Sequence, residues 1–260
     1  MNDTVKYETN QSIATITLNR PNKLNAMNNN LMIGIRDAIA RVEEDKSIRV
    51  VVITGAGRGF CAGADLAGAA ENTEPTSPTQ GMQDHFNPAM RAIHDCPVPT
   101  VAKVNGAAGG GGFGLALACD IAIAAKSAFF VATFGPRLGI VPDLGTTWNL
   151  PHKVGRARAL GISMLGDRIT ADQAETWGLI WQCVEDDQLD QAIERVTAIL
   201  SRTSAEAMTR IRSSIDAAEN NSYSAQLDLE MSHQSVLIPR NMRAAARAFM
   251  EKREPSFDGR

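Results

Sequence analysis

A glycine cluster between two apolar segments constrains this chain more than any other feature. Five of the six residues from Gly109 to Gly114 are glycine, between an apolar run at 98–104 and another at 113–119. The first run predicts a buried strand and the second a helix, so the cluster forms the turn between them. Glycines at such a turn let the backbone N–H groups of the helix start approach a bound group closely.

A second segment repeats this plan, with a predicted strand at 49–54, a glycine-rich loop at 55–63 and a short helix at 64–70. Two such loops can direct two backbone N–H groups at one oxygen, which makes an oxyanion hole for a carbonyl that becomes an enolate. Gly109, Gly111 and Gly114 also match the dinucleotide-binding pattern G-x-G-x-x-G. The acid that would hold the ribose about 20 residues further on is missing, which disfavours dinucleotide binding. Tight helix–strand packing without a ligand is the structural alternative.

The rest of the chain alternates strands and helices up to about residue 184 and is helical after residue 186. This order predicts an α/β domain with a helical C-terminal appendage. A segment rich in proline, serine and threonine at 72–81 is predicted to be a mobile surface segment. The other predicted strands are 5–9, 12–18, 121–124, 128–131 and 179–184, and the other predicted helices are 28–44, 82–94, 144–150, 156–165, 171–177, 188–201, 204–219, 222–235 and 239–251.

Composition narrows the class of protein. The net charge is −3 and there is no long basic run, which argues against nucleic acid or a membrane surface as the main partner. The four cysteines and four histidines show no metal-ligand spacing, so we expect no metal site. The N-terminal residues are polar and no apolar run reaches the ~20 residues of a membrane span. A cytoplasmic enzyme is therefore the expectation.

Motifs spread over nearly the whole chain, in one order, resemble the crotonase (enoyl-CoA hydratase/isomerase) superfamily. They lie at 19–21, 59–66, 104–106, 139–142, 166–171, 177–179 and 249–252. The resemblance implies a spiral of ββα units at 1–186 that carries the coenzyme A thioester site, and a helical trimerisation region at 187–260. It also implies an acyl-CoA substrate and a homotrimer or a hexamer of two trimers. No separate cofactor is expected, because coenzyme A is part of the substrate.

The resemblance also assigns roles to individual positions. The oxyanion donors are expected to be the backbone N–H groups of Ala64 and Gly111. Two segments are expected to lie along coenzyme A, and two C-terminal residues are expected to reach the coenzyme A of a neighbouring subunit. For Asp65 a helix cap is the alternative, and for the C-terminal pair the alternative is a core aromatic and a solvated lysine. The expected coenzyme A contacts are Lys23, Ala26, Ala62, Asp65, Leu66, Phe249 and Lys252.

The departures from the family pattern concern the catalytic acids. Hydratases of this superfamily use two glutamates, whose positions fall here on Gly114 and on either Phe134 or Gly135. Between residues 97 and 166 the only carboxylates are Asp120 and Asp143. We expect Asp120 to cap or anchor the preceding helix. Asp143 is then the predicted general base, with a pKa raised by an apolar pocket; a helix N-cap is its structural alternative.

A single carboxylate suits a proton shift better than hydration. The sequence therefore predicts an isomerase that acts on an acyl-CoA thioester through an enolate. Among the isomerase branches of the superfamily, the resemblance is greatest to enzymes that convert ring-1,2-epoxyphenylacetyl-CoA to an oxepin and that can also shift an enoyl double bond. A hydratase with Asp143 as its sole acid–base group and a non-catalytic coenzyme A ester-binding protein are the alternatives.

Overall fold

The computed structural model describes residues 3–66 and 79–257. Most of the short helix predicted at 64–70 and of the mobile segment predicted at 72–81 lies outside the described residues. Within the described ranges, the predicted alternation of strands and helices is confirmed, and the differences concern short strands and helical turns.

A six-stranded sheet forms the centre of the fold, in the order β1-β2-β3-β5-β7-β10. β1 and β2 form the predicted antiparallel hairpin, and every later neighbour in this sheet pairs in parallel. Fully buried aliphatic side chains such as Ile16, Val51 and Ile53 place the core against it. Its strands are β1 (Val5–Asn10), β2 (Ile13–Leu18), β3 (Val50–Gly55), β5 (Thr100–Val104), β7 (Ile121–Ala125) and β10 (Gln182–Val184).

A second sheet of four short strands has the order β4-β6-β8-β9. Its strands are β4 (Gly59–Cys61), β6 (Ala107–Gly109), β8 (Phe129–Val131) and β9 (Ile169–Thr170). β4 lies inside the glycine-rich loop predicted at 55–63, and β6 ends at Gly109, where the predicted glycine cluster begins. The chain thus runs from a strand of the large sheet to a strand of the small sheet and then towards a helix, which confirms the predicted spiral of ββα units.

Helices cover the sheets. Helix α1 begins after Asn28, whose side chain accepts a hydrogen bond from Leu31 N (3.0 Å), and it buries Leu31, Ile35 and Ile39. Gly155, with φ 75° and ψ 163°, interrupts α4 between the two predicted helical halves. The helices of this part are α1 (Asn29–Glu44), α2 (Asn87–His94), α3 (Gly111–Ala118), α4 (Thr146–Leu165) and α5 (Ala171–Thr176), with helical turns at Pro21–Lys23, Met82–Phe86 and Phe134–Leu138.

The C-terminal part is helical, as predicted. It contains a helical turn at Asp186–Gln188, then α6 (Leu189–Arg202), α7 (Ala205–Ala218), α8 (Tyr223–Leu237), a turn at Ile238–Met242 and α9 (Arg243–Met250). Arg212 of α7 fastens it to the core by donating two hydrogen bonds of 2.6 Å to Asp120. Asp120 also accepts from the backbone N–H (2.7 Å) and hydroxyl (3.0 Å) of Thr100. Asp120 therefore anchors α7 and β5, and the expectation that it serves the preceding helix is corrected.

Residues 3–66 and 79–257 contain neither a membrane-spanning helix nor a cluster of metal-ligand side chains. No helix there combines the length and apolar character needed to cross a membrane. The same ranges hold no cluster of three or more histidine, cysteine, aspartate or glutamate side chains that could ligate a metal ion.

Candidate active site

The two segments expected along coenzyme A lie side by side. Ala62 N donates to Leu24 O (2.9 Å), Met27 N to Gly63 O (2.7 Å) and Asp65 N to Met27 O (2.8 Å). These bonds bring residues 23–27 together with residues 62–66. Lys23, Ala62 and Leu66 are exposed along this pairing, Asp65 is half-buried and Ala26 is buried.

Arg20 and Asn25 hold this pairing in place. Asn25 is fully buried, and its side-chain amide donates to the carbonyl oxygens of Ala56 (3.0 Å), Gly59 (2.9 Å) and Phe60 (3.2 Å). Its φ of 56° lies in the left-handed region, which asparagine tolerates better than most residues. Arg20 donates to Ala26 O and forms an ion pair of 2.7 Å with the Asp65 carboxylate. The loop that follows β4 is thereby fixed to the segment before α1.

Replacing Asn25 with aspartate tests whether its side-chain amide holds the two segments together. The substitution keeps the shape of the side chain. It replaces the amide NH2 group, which donates to three carbonyl oxygens, with a carboxylate oxygen that can only accept hydrogen bonds. We expect the free energy of unfolding to fall by about 3 kcal/mol, because a buried carboxylate is left unpaired. Asn22→Asp, in the exposed turn at Pro21–Lys23, is the matched control. Equal chemical denaturation midpoints for the two variants would contradict the assignment.

The two glycine loops touch at Gly63 and the start of α3. Gly63 has φ 97°, and a Cβ atom on it would lie 2.8 Å from Gly109 O and 3.3 Å from Gly111 N. Ala64 follows Gly63 directly, and Gly111 is the first residue of α3, where a backbone N–H has no acceptor within the helix. The expected oxyanion donors therefore belong to backbone segments in contact.

Asp143 belongs to a tight turn that packs on the same helix start. Asp143 O accepts from Thr146 N (2.9 Å), and Leu144 and Gly145 both have left-handed φ, of 51° and 75°. Leu144 is buried, and its Cδ1 would lie 2.8 Å from a Cβ atom on Gly111, beside Met27 Sδ at 3.0 Å. The residue that follows the predicted base therefore touches the residue that carries a predicted oxyanion donor.

Burial is the main influence on the Asp143 carboxylate. It raises the pKa of Asp143 above its ordinary value, and a hydrogen bond from its own backbone N–H opposes the rise. No ion pair reaches this carboxylate from the residues that the structure describes. The N-cap of α4 is Gly145, and no side chain caps this helix. The alternative of Asp143 as an N-cap is therefore wrong, and Asp143 is a half-buried acid in a turn that packs on α3 through Leu144.

Phe249 and Lys252 lie at the last helix of the C-terminal part and just after it. Both side chains are exposed on the C-terminal part, and Phe249 is 85% accessible. In the part of the chain that the structure describes, no hydrogen bond or ion pair joins them to residues 23–27 or 62–66. Their expected contact with coenzyme A of a neighbouring subunit stays a prediction.

Comparison with known proteins identifies the class. The model of the enoyl-CoA hydratase/isomerase family matches residues 8–260. The chain belongs to the enoyl-CoA hydratase/isomerase family. It is 40% identical over 255 residues to an Escherichia coli (strain K12) 1,2-epoxyphenylacetyl-CoA isomerase, with 96% of each chain covered. It is also 40% identical to a Rhodobacter capsulatus protein named "probable enoyl-CoA hydratase", over 99% of this chain and 98% of the relative.

Solved structures of this family share the fold. An enoyl-CoA hydratase from Bacillus anthracis superimposes with a TM-score of 0.91 at 29% identity, covering 99% of this chain and 100% of that one. An enoyl-CoA hydratase from Polaromonas sp. JS666 gives 0.90 at 31% identity, covering 98% and 99%. Both isomerase and hydratase names thus occur among proteins similar to this one.

None of the positions that match the hydratase glutamates carries an acid, and two of them, Gly114 and Phe134, are closely packed. A Cβ atom on Gly114 would lie 2.7 Å from Thr146 Oγ1 and 2.9 Å from Leu144 O. Phe134 is buried in the core, and a Cβ atom on Gly135 would lie 3.1 Å from Ser163 O. Asp143 therefore remains the predicted acid, in a turn whose neighbouring residues Leu144 and Thr146 pack against α3.

Sequence reasoning missed the residues that hold the site together. Leu144 and Met27 look like ordinary core residues in the sequence, and no rule for local conformation places leucine in a left-handed turn. Asn25 belongs, in the sequence, only to the segment expected along coenzyme A. Its fully buried amide could have been suspected from its place between the apolar residues Leu24 and Ala26.

Proposed function

We propose that this family member isomerises an acyl-CoA thioester, with Asp143 as its single carboxylate base. The observation that carries the proposal is the Leu144 contact, which joins the Asp143 turn to Gly111 at the start of α3. The closed packing at Gly114 supports an isomerase over a hydratase that needs a pair of acids.

In the proposed reaction, the thioester oxygen accepts hydrogen bonds from the backbone N–H groups of Ala64 and Gly111. Asp143 removes a proton from the acyl part, and the negative charge moves to the thioester oxygen as an enolate. Each donor to such an oxyanion stabilises the transition state by roughly 2.7–4 kcal/mol. The protonated Asp143 then returns the proton at another carbon, so that substrate and product have the same composition. Burial favours this shuttle, because it brings the pKa of Asp143 closer to neutrality.

For the acyl group, we propose ring-1,2-epoxyphenylacetyl-CoA, which would give an oxepin product, with an enoyl double-bond shift as a second reaction. The name of the Escherichia coli relative supports the first substrate. Coenzyme A is proposed to lie along residues 23–27 and 62–66, near the exposed cation of Lys23. A homotrimer, alone or paired into a hexamer, is the proposed assembly; exposed apolar side chains of the C-terminal helices support it, namely Ile211, Ile215, Leu227, Met231, Phe249 and Met250.

Two substrates separate isomerisation from hydration. We expect a 3-enoyl-CoA to gain the ultraviolet absorbance of a conjugated enoyl thioester when the protein is added. We expect crotonyl-CoA, which is already conjugated, to keep that absorbance, because no pair of acids activates water. Rapid loss of the crotonyl-CoA signal would instead favour the hydratase, and mass spectrometry of the product would show the added water.

A further inference from the structure

Gly114 lies under the turn that carries Asp143. A Cβ atom at position 114 would lie 2.7 Å from Thr146 Oγ1, 2.9 Å from Leu144 O and 3.2 Å from Leu144 Cβ. Contacts under 3.0 Å are not tolerated between real Cβ atoms and their neighbours, and one of these involves the backbone. The turn can therefore close on α3 only because residue 114 has no side chain.

The same turn also touches α3 one helical turn earlier. Gly111 and Gly114 are three residues apart and so lie on the same face of the helix. Leu144 spans them, since its Cδ1 approaches Gly111 and its carbonyl oxygen approaches Gly114. Any side chain at 114 would lift Leu144 away from both positions and would move the neighbouring Asp143.

Thr146 shows how closely the turn is packed. Its side chain is fully buried, and its hydroxyl oxygen has no hydrogen-bond partner. A buried hydroxyl without a hydrogen-bond partner destabilises the folded state. The two left-handed residues before it, Leu144 and Gly145, add local backbone strain at the leucine. Contact with α3 therefore holds the turn in place, although the unpartnered hydroxyl of Thr146 and the left-handed backbone of Leu144 are both unfavourable.

We infer that Gly114 is a positioning residue for Asp143, and that this chain can hold its active-site acid at position 143 or at position 114 but not at both. A side chain at 114, including the glutamate of the hydratase pattern, would displace the turn that carries the base. This inference rests on the proposed function, because it concerns the same site. It adds a steric reason why this chain cannot carry the glutamate of the hydratase pattern at position 114 while it holds Asp143 in place.

The test compares Gly114→Ala, Thr146→Ala and the double variant. A displacement of about 1 Å in a catalytic group can cost about 10²-fold in rate, so we expect kcat of Gly114→Ala with a 3-enoyl-CoA to fall by that order. Binding of acetyl-CoA, measured by calorimetry, should change little. The double variant lacks the nearest clashing atom and should recover part of kcat, so that the two substitutions are not additive.

A pH profile separates positioning from general damage to the fold. Burial raises the pKa of Asp143, so a lifted turn should move the acidic limb of the kcat profile to lower pH. Gly161→Ala is the control, because it lies in α4 with no atom within 4 Å of its added Cβ, and it should leave both kcat and the limb unchanged. If Gly114→Ala fails to fold, the double variant is compared with Thr146→Ala in the same assay.

Two outcomes would overturn the inference. Gly114→Ala with unchanged kcat and an unchanged acidic limb would show that the turn tolerates a side chain. Gly114→Glu that isomerises a 3-enoyl-CoA normally, or that gains hydration of crotonyl-CoA while keeping isomerisation, would show that both acids fit. An active Asp143→Asn variant would overturn the proposed function and this inference together, whereas an inactive Asp143→Asn with a normal Gly114→Ala would overturn this inference alone.

Discussion

Asp143→Asn should lower kcat for isomerisation by about 10²–10⁴-fold, the usual contribution of a positioned general base. Asparagine keeps the size of the side chain but cannot accept the proton that leaves the acyl group. The backbone donors at Ala64 and Gly111 are unaffected, so a coenzyme A ester should still bind. Single-turnover measurements with a 3-enoyl-CoA, together with calorimetric binding of acetyl-CoA, would show loss of chemistry with retained affinity.

The same variant should be at least as stable as the unsubstituted protein at neutral pH. Burial raises the folded-state pKa of Asp143 above the ordinary 3.8, so the folded state binds this proton more tightly than the unfolded chain does. The resulting stabilisation is fully present below the unfolded-state pKa and is lost as pH rises through the folded-state pKa. At pH 7 the ionised, half-buried carboxylate of Asp143 thus destabilises the folded state, and asparagine removes this effect. The difference in the free energy of unfolding between the two proteins should shrink as pH falls towards 4.

Asp120→Asn provides the contrast, since Asp120 is the other carboxylate between residues 97 and 166. Its oxygens accept from Arg212 and Thr100 and connect α7 to the sheet. That variant should unfold at lower denaturant concentration, whereas Asp143→Asn should not. A stable Asp143→Asn variant with normal turnover would contradict the role of Asp143 as the base.

The fold followed from the sequence where elements are long and periodic. Helix α1 is marked by its cap at Asn28 and its buried stripe, and β3 by its run of valines, so both were predicted to within a residue or two. The short strands β4 and β6 lie in or beside glycine-rich sequence, which indicates a turn, and no strand was predicted at either place. The turn at Phe134–Leu138 was missed because Gly135 and Pro136 signal a break in helical structure.

The candidate site, like the fold, could be predicted from the sequence only in part. The carboxylate count between residues 97 and 166 pointed to Asp143 from the sequence alone, and the resemblance to the crotonase superfamily assigned the oxyanion donors to Ala64 and Gly111. The contacts that join these residues could not be predicted, because they depend on where separate loops meet in space. Leu144 on Gly111 and Thr146 on Gly114 are contacts of this kind, between residues about 30 positions apart in the chain.

Gly63→Ala should separate the two oxyanion donors and lower kcat by about 10²-fold or more, the effect of removing one such donor. The added Cβ atom would lie 2.8 Å from Gly109 O and 3.3 Å from Gly111 N. These are backbone atoms at the start of α3, which cannot swing aside as a flexible side chain can. Ala64 and Gly111 would then no longer direct their N–H groups at one oxygen.

Backbone strain alone must be separated from this effect, because Gly63 has φ 97° and alanine is disfavoured there whatever its neighbours. Gly178 also has a left-handed φ, of 75°, but the nearest atom to its added Cβ is 3.7 Å away. Gly178→Ala should therefore lose stability without losing turnover per folded molecule, whereas Gly63→Ala should lose both. Equal kcat values for the two variants, measured on samples shown to be folded by circular dichroism, would mean that the contact of the two glycine loops does not set the oxyanion hole.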